Sequence, residues 1–130
     1  MQEVLTQSEE YLAQKGYSTW APEISKTLPG FTSEFSHKIA ARKAGLGWIG
    51  KNTLLVTKEF GSWLRLATVF TDAPLKTCTK IKENLCGGCM KCVTACPCGA
   101  IKGVSWSEAA QRDQLLDAEH CKNNQRKLEE

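Results

Sequence analysis

Apolar positions recur at helical spacing in two places along the first half of the chain. Val4, Leu5, Tyr11 and Leu12 mark an amphipathic helix over residues 3–15, and Gly16 supplies its stop. Ile39 and Ala40 mark a second helix over Ser36–Ala44 that ends at Gly45. Tyr17–Trp20 reads as a short strand before Pro22, and Thr27–Ser33, with Pro29 and Gly30, reads as a loop. The β-rich runs Leu54–Thr57 and Leu64–Thr71, separated by the turn-like EFGS, predict two adjacent strands. Helices covering such strands make an α/β (α+β) layer.

The pattern changes after Pro74. From Cys78 to Gly103 the chain is rich in Cys, Lys and Gly and poor in branched apolar side chains, so a bound metal must replace much of the packing. Ser105-Trp106-Ser107-Glu108 has the form of a capping box, which predicts a helix to about Ala118. A polar tail expected to fray follows Cys121. The expected division is 1–75, the α/β layer, and 76–130, a ferredoxin-like module.

Composition narrows the function. No apolar run approaches the ~20 residues of a membrane span, and the opening MQEVLTQSEEYLAQKG is too polar for a signal peptide. The expected compartment is therefore the reducing cytoplasm, where seven cysteines point to metal rather than disulfides. A net charge of +3 is too small to mark a nucleic-acid protein by itself. Between Glu34 and Glu59, however, Lys38, Arg42, Lys43, Lys51 and Lys58 meet no acidic residue. That stretch suits either an anion or a solvated helix face.

Two nucleotide patterns fail on context. Gly45, Gly47 and Gly50 satisfy G-x-G-x-x-G, and Gly45–Lys51 fits the start of a P-loop. Both motifs require a strand before and a helix after, and the P-loop requires Ser or Thr where Asn52 stands. Here a helix precedes and a strand follows. What remains is a tight turn around Trp48 that lets another surface come close.

The run "CGGCMKCVTACPCG" carries the chemistry. Cys86, Cys89, Cys92 and Cys96 follow C-x2-C-x2-C-x3-C-P, the bacterial ferredoxin spacing for a [4Fe–4S] cluster. Structural zinc sites usually split their ligands into two separated pairs. Three cysteines within seven residues instead wrap one loop around one face of a cube, while Cys96 leads away. A zinc-stabilised interaction module and a simple ferredoxin-like electron carrier are the alternatives. Cys78 and Cys98 read as ordinary thiols, and His37 and His120 as ordinary histidines.

Taken together, "AGLGWIGKNTLLVTKEFGSWLRLATVFTDAPL" and the cysteine run resemble the epoxyqueuosine reductase family from about His37 to Cys121. These are cobalamin- and [4Fe–4S]-dependent enzymes related in architecture to reductive dehalogenases. The resemblance implies a cobalamin-binding α/β layer joined to a ferredoxin-like module with two clusters, a tRNA substrate and an electron-donor protein. It also implies that Cys86, Cys89 and Cys92 hold the first cluster, while Cys96 and Cys121 serve the second. Gly45, Gly47, Trp48, Gly50 and Lys51 would lie beside the cobalamin pocket. The family's second C-x2-C-x3-C motif does not follow Cys121 here, so the first cluster's fourth ligand is expected from outside this chain. No aspartate stands in "GFTSEFSHK", where the resemblance would place a catalytic acid.

Overall fold

The computed structural model describes residues 1–23, 28–31, 33–78 and 84–129. Helix α1 (Gln2–Gln14) buries Leu5. It ends as its sequence demands: Gly16 takes φ 86°, and the amides of Gly16 and Tyr17 turn back to the Ala13 and Leu12 carbonyls at 2.9 and 3.1 Å. Strand β1 (Thr19–Trp20) then packs on α1. In the segment read as a loop, Pro29–Phe31 forms a 3-10 turn with Gly30 at φ 74°, while Thr27 and Thr32 lie outside the described residues.

Helix α2 (His37–Lys43) stops at Gly45, whose φ of 82° lets Leu46 N–H reach the Ala41 carbonyl at 3.1 Å. It packs on a hairpin of β2 (Trp48–Ile49) and β3 (Leu55–Val56), paired Trp48 to Val56 and Ile49 to Leu55. Among the described residues Ile49 is the most deeply buried side chain, joined in the core by Leu5, Ala41, Leu55, Ala100 and Leu115. So small a core suits a chain whose second half is organised by chemistry rather than apolar mass.

Two expectations about strands are corrected. The turn at EFGS forms, with Thr57 and Gly61 exchanging hydrogen bonds at 2.8 and 3.0 Å. Yet β3 does not pair with Leu64–Thr71; its ladder is with β2. Only Phe70–Thr71 (β4) forms a ladder, and its partner is β1, with Thr19 opposite Thr71 and Trp20 opposite Phe70. The rings of Trp20 and Phe70 stack at 5.4 Å.

The last third departs further. Residues 104–106 are not helical; the chain turns at Ser107 and forms α4 (Arg112–Leu115), whose box is made by Gln111 and Gln114. Glu108 instead pairs with Arg42 at 3.0 Å, and Trp106 lies under the same guanidinium at 4.5 Å. Tertiary contacts thus remove both residues from a local cap. The tail expected to fray is helix α5 (Ala118–Glu129), started by Asp117, whose carboxylate accepts the His120 N–H at 2.9 Å. No helix among the described residues is long and apolar enough to cross a membrane.

Candidate metal centre

The cysteine run is an irregular loop followed by the single-turn helix α3 (Lys91–Ala95). Gly87, at φ 46°, allows Cys89 N–H to close on the Cys86 carbonyl at 2.8 Å. Cys92 stands on α3, and Pro97 holds Cys96 extended as the helix ends. All seven cysteines are free thiols, with Cys89 exposed and Cys86, Cys92 and Cys96 half-buried. A Cβ on Gly87, Gly88 or Gly99 would meet nothing within 4 Å, so open space lies over the backbone at each. Among the described residues no three Cys, His, Asp or Glu side chains form a group that would hold a single metal ion. A cubane spreads its thiolates around a larger body, and an all-thiolate donor set on a glycine-rich loop is chemically suited to it.

The glycine hairpin holds this loop in place. Asn84 bridges the two, donating to the Ile49 carbonyl at 3.2 Å and accepting the Cys86 N–H at 3.0 Å. Lys51 donates to the Gly87 and Cys89 carbonyls at 2.8 and 3.2 Å. A Cβ on Gly50 would stand 3.5 Å from the Cys86 sulfur, after colliding with Asn52 and Val56 at 2.7 and 2.9 Å. The side chains of Asn52 and Val56 within the hairpin therefore oppose anything larger than glycine at 50, while the Cys86 sulfur lies at ordinary contact distance.

A pair of thiols lies beyond α3. Ile101 pairs with Leu116, and Asp117 N–H bonds the Ala100 carbonyl at 2.9 Å, which returns the start of α5 to the Cys96 turn. Cys96 and Cys98 sulfurs are 3.9 Å apart. Backbone N–H donation, from Ile101 above all, holds the Cys96 thiol below its ordinary value. Burial, then the neighbouring Cys96 and Cys121, push the Cys98 thiol up.

Residues 79–102 match the 4Fe-4S binding domain family. The epoxyqueuosine reductase of Listeria monocytogenes is 43% identical over 82 residues, 63% of this chain and 21% of that protein. That of Aliivibrio fischeri is 40% identical over 116 residues, 87% of this chain and 25% of that protein. A crystal structure of epoxyqueuosine reductase with an epoxyqueuosine-modified tRNA-Tyr stem loop is similar at a TM-score of 0.68 and 32% identity, covering 92% of this chain and 28% of that one. The chain is a relative of the epoxyqueuosine reductases. It spans about a fifth to a quarter of the length of the two relatives named.

Several residues singled out in the sequence have local structural reasons. Gly45 ends α2, Gly47 packs against the Val56 backbone, and Gly50 packs against Asn52 and Val56. Three of the five basic residues between Glu34 and Glu59 are engaged internally: Lys38 on the Thr53 carbonyl, Arg42 on Glu108 and Lys51 on the cysteine loop. Lys43 and Lys58 remain exposed. His37 is held by Thr68 at 3.0 Å and the Glu23 carbonyl at 3.4 Å, so the ring is fixed at both nitrogens.

Trp48 differs from its neighbours. Its indole Nε1 is buried without a hydrogen-bond partner among the described residues. A cleft of about 330 Å³ lies beside α2, lined in part by Phe35, His37, Leu54, Leu64 and Leu66. That volume would receive part of a corrin, not a whole one. Sequence reading missed Asn84, although an asparagine two residues before the first cysteine was a usable signal for a loop-fixing side chain.

Proposed function

We propose that this chain is the cluster-bearing electron-transfer portion of an epoxyqueuosine reductase-type oxidoreductase. Its division is 1–75, the corrin-side layer, and 76–130, the ferredoxin-like module. The reading is carried by one observation: a ferredoxin-spaced thiol loop is clamped by Lys51 and Asn84 onto the glycine hairpin that the resemblance assigns to the corrin side. Cys86, Cys89 and Cys92 are the ligands of the first cluster, and Cys96 and Cys121 face the second. When bound, such a cluster supplies one-electron transfer at a potential set by its ligands and surroundings.

The chain's own residues do the rest. Asn84 fixes the Cys86 amide, Gly87 lets the loop turn tightly, and α3 carries Cys92 to the same loop. By the family resemblance, Trp48 stands with the glycine turn on the corrin side. The tRNA substrate and the electron-donor protein are carried over with the family reading.

Anaerobic reconstitution with iron, sulfide, zinc and cobalamin quantified together tests this. Iron and sulfide in equal amounts, with cobalamin retained, is the expected result. Cluster without corrin would leave a simple electron carrier. Zinc in place of iron would overturn the reading.

A further inference from the structure

Lys51 is only 7% exposed, yet it is a cation. Its Nζ faces the Gly87 carbonyl at 2.8 Å, the Cys89 carbonyl at 3.2 Å and the Met90 sulfur at 3.6 Å. These groups satisfy its protons but cancel no charge. Among the described residues no carboxylate lies within ion-pair distance of it. Buried ammonium groups are costly unless an anion compensates them. Every partner of Lys51 belongs to the segment that carries Cys86, Cys89 and Cys92.

We infer that Lys51 is the counter-charge of the cluster held by this loop, a positioning residue that also raises the cluster's reduction potential. The inference rests on the cluster reading above. Cysteine thiolates and the cube they hold carry net negative charge, which grows by one on reduction. A fixed ammonium in a dry setting stabilises the more negative, reduced state over the oxidised one. The same hydrogen bonds tie the loop to the hairpin, so charge and geometry reside in one side chain.

The test uses the full chain, reconstituted anaerobically with iron, sulfide and an excess of a small thiol to occupy the fourth iron, and its Lys51→Gln and Lys51→Arg variants. Glutamine keeps N–H donors for the two carbonyls and removes the charge; arginine keeps both. Redox titration followed by the electron paramagnetic resonance of the reduced cluster gives the midpoint. In Lys51→Gln the ratio of reduced to oxidised cluster at the wild-type midpoint should fall about tenfold, a shift of about 59 mV downward for one electron. Lys51→Arg should stay near wild type. Loss of the cluster in the glutamine variant with retention in the arginine variant also supports the inference, because charge is then needed for assembly. An unchanged midpoint in Lys51→Gln overturns it, as does equal loss of iron from both variants, which would mean that shape alone matters. A wild-type chain that takes up no iron and sulfide would remove the cluster reading itself and this inference with it.

Discussion

Gly47 lies flat against the carbonyl of Val56, so that a Cβ built on it would stand 2.1 Å from that oxygen. Backbone cannot swing aside as a flexible side-chain end can, and β2 and β3 would have to part. Gly47→Ala should therefore cost about 3 kcal/mol, the upper part of the usual overpacking range. Gly88→Ala in the metal-free protein meets nothing within 4 Å and should stay within about 0.5 kcal/mol. Urea unfolding of both variants checks the contrast. Equal stability of the two would remove the close approach as the reason for glycine.

Cys89 is the central thiol of the tight loop and is exposed. Cys89→Ser should abolish most iron uptake on anaerobic reconstitution, whereas Cys78→Ser should leave it unchanged. Iron and sulfide assays give the answer. Full metal content in Cys89→Ser would contradict its place as a ligand.

The amount legible beforehand differs sharply between the two halves. Helices α1 and α2 and their glycine stops follow from periodicity, because each is fixed by neighbours within one turn. The ladder partner of Phe70–Thr71 was not legible, since Leu64–Thr71 reads equally well beside either strand. Residues 105–108 were misread because Arg42, 66 positions from Glu108, takes the carboxylate that a local box would use. The cysteine spacing named the chemistry outright. The hand that Lys51 lays on the loop crosses 36 positions to Gly87, and no local rule anticipates it.

Arg42 joins α2 to the segment after the cysteine loop by its pair with Glu108 and its place over Trp106. Glu108 is well exposed, so the ion pair itself contributes little. The stacked guanidinium accounts for most of the effect. Arg42→Ala should cost about 1 kcal/mol and should persist at about 1 M salt, where exposed charge pairs are screened. Unfolding at low and high salt separates the two contributions. A loss that disappears in high salt would assign the effect to Glu108 instead.

Lys38, half-buried and donating to the Thr53 carbonyl at 2.8 Å, is held below the ordinary lysine value of 10.5, first by burial and then by the Arg112 charge. Between its folded value and 10.5 the unfolded chain binds the proton more strongly than the folded one. Stability therefore rises with pH across that window, and the penalty is present in full below it. The slope from this one group is at most about 1.4 kcal/mol per pH unit. Unfolding free energies measured at alkaline pH should show the rise in the wild type and a flatter profile in Lys38→Met. Parallel profiles would reject it.

Asn84 gives with one arm and accepts with the other, to Ile49 and from Cys86. Chemical ageing turns an asparagine into an aspartate, and a carboxylate has nothing to donate. An aged chain would keep the grip on Cys86 and turn the freed oxygen against the Ile49 carbonyl, prising the loop from the hairpin. The clamp that seats the thiols is thus also a clock: its hold on the hairpin lasts as long as one amide nitrogen does.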